Sequence, residues 1–242
     1  MIALRIALLF ALALPSGAVL ADVAQDEALE ALNRRNIRFS PEEFTDLVRN
    51  DDAENVRIFI QAGMNPNYGF ADGSPALCIA ATKGHTETAR ALLDGGALIN
   101  SKDKEGYTPL MLTVLLGRAE TALALLEKGA DPNVQNRYGN TALIFAVQER
   151  RVPLVEALLK AKADAAITAE SGISALTVAI ETRQDATLKL LEKAGYGGRL
   201  RALRQRFDGE LRAAKKADAA EEKDRQLKLN QQLKAAGGNR TN

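Results

Sequence analysis

Gly73, Gly106, Gly139 and Gly172 stand 33 residues apart, and each opens a closely related stretch. A fixed period of this length excludes a single globular core and points to one structural unit used repeatedly. The stretches read GSPALCIAATKGHTETARALLDGGALIN from Gly73, GYTPLMLTVLLGRAETALALLEKGADPN from Gly106, GNTALIFAVQERRVPLVEALLKAKADAA from Gly139 and GISALTVAIETRQDATLKLLEKAGY from Gly172. Apolar residues recur in register: Leu77, Leu110, Leu143 and Leu176, then Leu92-Leu93, Leu125-Leu126, Leu158-Leu159 and Leu190-Leu191. This pattern predicts two short antiparallel helices per unit, each unit burying its apolar faces on its neighbours.

The unit length and the Thr108-Pro109-Leu110 segment resemble the ankyrin repeat. The resemblance implies an all-α solenoid of about five helix-turn-helix units with short hairpin loops. The units fall at about 40–72, 73–105, 106–138, 139–171 and 172–197, and a basic helix follows. The first unit is divergent. Aligning Gly63 with Gly96 places Phe44 on Leu77, Val56 on Ala89 and Phe59-Ile60 on Leu92-Leu93. Glu42, Glu43, Asp51, Asp52 and Glu54 mark it as an N-terminal cap with a soluble outer side. In the last two units the loop residues Gly84 and Gly117 give way to Arg150 and Arg183, and the pairs Gly96-Ala97 and Gly129-Ala130 become Lys162-Ala163 and Gly195-Tyr196. If the loops keep the positive φ that the resemblance implies, each arginine costs about 1–2 kcal/mol, and fraying is expected to start at that end. Pro153 sits in the first turn of its helix, where a missing amide hydrogen is harmless.

Hydrophobic residues make up 46% of the chain and aromatic ones only 5%, with no Trp, so Ala and Leu are expected to do the packing. Residues 1–21 stand apart from the array. Arg5 precedes an apolar run from Ile6 to Leu14, Pro15-Ser16-Gly17 interrupts it, and Val19-Leu20-Ala21 precede Asp22. This reads as a secretory signal peptide, with cleavage favoured over an uncleaved anchor because a span needs about 20 apolar residues. The Ala-rich character makes the periplasm the first expectation and secretion the alternative. Residues 22–39 form an acidic, then basic lead-in. Cys78 is the single cysteine, so no intramolecular disulfide forms, and its place after the first-helix Leu77 reads as a small buried hydrophobe.

Beyond 198 the chain changes character. Leu200, Leu203, Phe207 and Leu211 keep a helical apolar stripe, with Arg199, Arg201, Arg204, Arg206 and Arg212 around it. From Lys215 the sequence predicts a frayed helix or disorder. Residues 198–242 hold 12 Lys or Arg against 6 Asp or Glu, so the net charge of +1 hides an acidic array and a basic tail. The tail reads first as a solvated capping helix. The alternative is peripheral contact with an anionic surface, of a protein or of phospholipid. Nucleic acid is not expected, because the tail has almost no aromatic residues for stacking.

Nothing in the chain assembles catalytic chemistry. His85 is the only histidine, so histidine-based metal sites and nucleophile triads lack partners, and Gly84-His85 resembles the pair that links the two helices of ankyrin units. No Gly-rich phosphate loop opens a helix after a strand. Adjacent acidic pairs such as Asp51-Asp52 and Glu221-Glu222 point about 100° apart on a helix and do not converge. No enzyme activity, cofactor or metal is expected.

The resemblance implies that a partner is gripped by loop tips around the opening glycine and by the two residues ending each first helix, on a concave face. Carried over, the helix-end pairs are Thr82-Lys83, Leu115-Leu116, Gln148-Glu149 and Glu181-Thr182. Leu115 and Leu116 stand out, because an apolar pair at exposed positions invites burial by something else. The tips contribute Lys104, Glu105, Tyr107, Arg137 and Tyr138, with Phe70 and Asp72 one unit earlier. An apolar centre ringed by Tyr, Arg and Lys, completed by Lys83 and Glu149, has the composition of a protein-binding hot spot. The expected function is therefore non-enzymatic: a monomer holding another protein, as adaptor or chaperone-like factor for an envelope enzyme. The alternatives are an inhibitor or immunity protein and an envelope-tethered scaffold.

Overall fold

A computed structural model describes the backbone of residues 16–237 and the side chains of residues 22–228. The signal-peptide reading therefore falls mostly outside the described residues, as do residues 238–242. Helix α1 (Ser16–Arg34) comes first. Each unit then contributes a pair: α2 (Pro41–Arg49) with α3 (Ala53–Gln61), α4 (Ala76–Lys83) with α5 (Thr86–Asp94), and α6 (Pro109–Leu116) with α7 (Ala119–Glu127). The pairs α8 (Ala142–Gln148) with α9 (Val152–Lys160), and α10 (Ala175–Glu181) with α11 (Asp185–Leu191), follow. Among the described residues no strand forms, and the hairpin tips hold only isolated bridges, Gly69 to Pro75 and Thr168 to Ser174.

The chain divides into two compact units, residues 1–190 and 191–242. In the first, successive first helices α2, α4, α6, α8 and α10 form one layer, and second helices α3, α5, α7 and α9 form another. The recurrent leucines are the seam between them: Leu77, Leu92, Leu110, Leu125, Leu143 and Leu158 are each at most 1% exposed. Each such burial contributes about 1.5–3 kcal/mol. Ala80, Ala81, Ala89, Ala122 and Ala146 are equally buried, and their small side chains let the layers approach. First helices start where Thr108, Thr141 and Ser174 accept hydrogen bonds from the amides of Met111, Ile144 and Thr177.

Two features add to the sequence reading. Within the 22–39 lead-in, residues 22–34 are helical: α1 packs on α3, burying Ala28 and Leu32, and Gln25 donates to the Ala62 carbonyl at 3.1 Å. The outer cover of the first unit is therefore α1. That unit packs with rings as well as with Leu47, Ala53 and Ala62, since Phe59 lies 5.2 Å from Phe39 and 6.0 Å from Phe44, centroid to centroid.

The loop lattice follows the period. Positive φ occurs at Asp51, Gly84, Gly117, Arg150 and Arg183 between helices, and at Gly63, Gly96, Gly129, Lys162 and Gly195 after them. Arg150 (φ 54°) and Arg183 (φ 50°) thus occupy the left-handed conformation that the resemblance implied. Where glycine caps, the first helix has 8 residues, as in α4 and α6; where arginine takes its place, α8 and α10 have 7.

In residues 191–237, a π-helical turn (Glu192–Tyr196) with Gly195 at φ 96° precedes α12 (Gly197–Gly237). Helix α12 runs on through the charged segment that begins at Lys215. Alanines and pairs four apart, such as Arg206–Glu210 at 2.8 Å and Lys228–Asp224 at 2.6 Å, favour helix without a core.

Relieving the strained loop is the clearest test of this lattice. Arg183→Gly is expected to raise the unfolding free energy by about 0.5–1 kcal/mol, the left-handed penalty less the entropy glycine adds to the unfolded chain. Gly117→Ala is expected to lower it by about 1–2 kcal/mol, because φ is 72° and a Cβ would strike the Arg151 guanidinium. Urea titration reads both.

Candidate functional site

The tips are built by short polar side chains that fold back on their own backbone. Asp103 Oδ1 accepts from the amides of Glu105 (3.0 Å) and Tyr107 (2.8 Å), holding Lys104 and Glu105 outward. Asn136 does the same for Tyr138 and Asn140, both at 3.0 Å. At the earlier tip, Asp72 Oδ1 accepts from Ser74 at 2.9 Å, and that amide holds the Asp72 carboxyl below its usual range. Neighbouring tips are stapled by backbone: Arg137 N donates to Glu105 O at 3.3 Å, and Glu170 N to Tyr138 O at 3.0 Å. Glycine is needed there, since a Cβ on Gly139 would lie 2.9 Å from the Glu170 amide. The surface is therefore organised before any partner arrives, which lowers the ordering cost of binding.

The structure places the predicted residues unevenly. Lys83, Lys104, Glu105, Arg137, Glu149 and Asp72 are exposed. Leu116 is 44% exposed and Tyr138 54%, so both present apolar surface to solvent. Leu115 is half-buried, and its carbonyl accepts from Arg151 Nη2 at 3.3 Å. Tyr107 is half-buried and stacked on Phe145 at 5.6 Å, with its phenol pushed above its usual range by burial. Phe70 is a correction: at 4% exposure it belongs to the core, beside Tyr68 and under the Arg49 guanidinium, which lies 5.3 Å from its ring. The repeat register carries the signal: Phe70 stands one period before Asp103 and in line with Asn136 and Ala169, which are 6% and 5% exposed.

One set of residues escaped the sequence reading. His85, Arg118, Arg151 and Gln184 follow the left-handed loop residue in successive units. Each reaches back to a carbonyl ending the previous unit's first helix: Arg49 O at 3.1 Å, Thr82 O at 3.2 Å, Leu115 O at 3.3 Å and Val147 O at 2.8 Å. The donors share a 33-residue period, which was the available signal, but no chemical identity. Asn67 and Asn133 make a second ladder between loops, accepting from Leu98 N and Asp164 N at 2.7 Å each.

Cys78 is 1% exposed, and burial pushes its thiol up to about 12. Among the described residues no group of three or more His, Cys, Asp or Glu is placed to hold a metal ion. Arrays of stacked helix pairs with stapled tips form a class of repeat proteins whose outward residues, not a pocket, meet other molecules. Family models described as ankyrin repeats match residues 45–136 (three copies) and 125–179 (many copies), and together these ranges exceed half the chain. The chain belongs to the ankyrin-repeat family, whose repeats are generic protein-binding modules. Among curated proteins no relative matches it.

Two outcomes follow from these placements. Tyr107→Ser is expected to cost about 1–2 kcal/mol by removing a half-buried ring, whereas Leu116→Ser and Tyr138→Ser stay within about 0.5 kcal/mol; thermal melts compare them. A thiol whose folded pKa lies above its unfolded value stabilises the fold below the unfolded pKa, and that contribution is lost as pH rises toward about 12. Cys78→Ala is therefore expected to lose stability less steeply than wild type above about pH 9 in urea titrations at stepped pH.

Proposed function

We propose that the chain acts in the periplasm as a non-enzymatic adaptor, holding one partner protein on the stapled tips and first-helix ends of its middle units. The observation that carries this reading is the register position of Leu116. The equivalent residues in other units are Lys83, Glu149 and Thr182, so the array does not require an apolar side chain there, and 44% of it lies open to water. Tyr138 stands where other units carry Asp72, Glu105 and Ser171, and is likewise exposed. Apolar groups at positions that the fold leaves free are the anchors a partner would bury, with Arg137, Lys104 and Glu105 as a charged rim. The pattern of residues 1–21, an apolar run ending in small residues, supports export.

The stapling of the tips favours a second reading, an inhibitor or immunity protein, because a preorganised surface supports tight one-to-one binding. The two are separated by what the complex does. Captured from envelope extract by residues 22–242, the partner is expected to be recovered by wild type and lost with Leu116→Ser/Tyr138→Ser. An adaptor leaves the partner's activity intact, and an inhibitor abolishes it. Equal recovery by both proteins would remove the middle units as the site.

A further inference from the structure

The charges of α12 are sorted by face. Among the described residues its ion pairs use Arg206, Arg225 or Lys228 as the cation: Arg206 with Glu210 at 2.8 Å, Arg225 with Glu221 at 3.5 Å and Glu222 at 3.6 Å, and Lys228 with Asp224 at 2.6 Å. Arg201, Arg204, Arg212, Lys215, Lys216 and Lys223 take no part in an ion pair among the described residues, and all six are exposed. At about 100° per residue these six fall within one sector about 120° wide, and from Arg201 to Lys223 they run about 33 Å along the helix. Glu222, at the edge of that sector, is turned to Arg225. Asp208 is the one other acid within it. The acidic side chains of the helix otherwise lie outside the sector. The result is a basic stripe of six cations interrupted by one acid, Asp208, with the remaining acidic side chains at its edge or outside it.

We propose that this stripe docks on an anionic phospholipid surface, independently of the partner held by the repeats. The stripe has no pocket or ring of the kind that carries protein–protein affinity, and the two exposed leucines that flank it, Leu211 and Leu227, stand 16 residues apart rather than forming one anchor. Phe207, the one aromatic residue of 198–242, projects about 120° from its centre, so bases of a single strand have nothing to stack on. What remains is unpaired charge on long flexible stems in a line. That arrangement takes its binding energy from a surface of negative headgroups, where each Lys or Arg adds attraction that salt screens.

Two triple variants of residues 22–242 remove equal charge from opposite faces: Arg204→Gln/Arg212→Gln/Lys216→Gln from the stripe, and Arg206→Gln/Arg225→Gln/Lys228→Gln from the ion pairs. Glutamine keeps helix propensity, and circular dichroism checks that the helix persists. Sedimentation with vesicles of phosphatidylcholine containing phosphatidylglycerol is expected to show binding by wild type at low salt and little with phosphatidylcholine alone. The stripe variant is expected to bind about tenfold more weakly or worse, while the ion-pair variant stays within about threefold of wild type. Equal losses in both variants, equal binding to both vesicles, or binding to duplex DNA in place of vesicles would each overturn the proposal.

Discussion

Each of the first four units ends its first helix with a carbonyl to which the next unit donates a side-chain hydrogen bond. His85, Arg118, Arg151 and Gln184 perform this from one register position, each reaching back to the preceding first helix. The reach depends on the left-handed residue just before each donor, which turns the chain so that the donor faces backwards. Gly84 and Gly117 adopt that conformation without strain, and Arg150 and Arg183 adopt it at a cost. Stacking of Leu and Ala supplies most of the stabilising free energy, but it is non-directional. The cap gives the stack its register.

This arrangement grades the array along its length. Residues 73–138 place glycine at each left-handed position, keep first helices of 8 residues, and fill the seam with leucine. Residues 139–191 carry Arg150, Lys162 and Arg183 in left-handed conformation and have first helices of 7 residues. The exposed Leu116 and Tyr138 belong to the unit at 106–138, whose left-handed positions are all glycine, so the surface proposed for a partner carries no strained loop. The stapling there has a functional meaning, because a surface that does not have to be ordered on binding keeps more of its contact energy.

Much of the fold was legible because the repeat is written in the sequence four times. Of the leucines recurring every 33 residues, Leu77, Leu92 and their equivalents are buried while Leu93, Leu126, Leu159 and Leu190 are half-buried, and the arginines at glycine positions predicted the left-handed loops. What the period could not predict lies where the chain departs from it. Helix α1 has no counterpart in the repeat, so its burial of Leu32 gave no register signal. Phe70 packs inward beside Tyr68, as its register equivalents Asn136 and Ala169 also turn inward, but residues as unlike as Phe, Asn and Ala hide that shared placement. Tyr107 is held by Phe145 from the next unit, so its role as packing surface depends on a neighbour 38 residues on. The back-reaching caps stayed hidden because His, Arg and Gln share only a donor hydrogen, and spacing alone does not reveal a shared role among unlike residues.

Native-state hydrogen exchange across residues 22–191 tests the graded array most directly, since it reads the opening free energy of each helix separately. The account predicts slowest exchange in α4 through α7 and progressively faster exchange through α8 to α11, with α10 and α11 opening below the global unfolding free energy. Uniform protection of all units, or fastest exchange in α4 through α7, would contradict it.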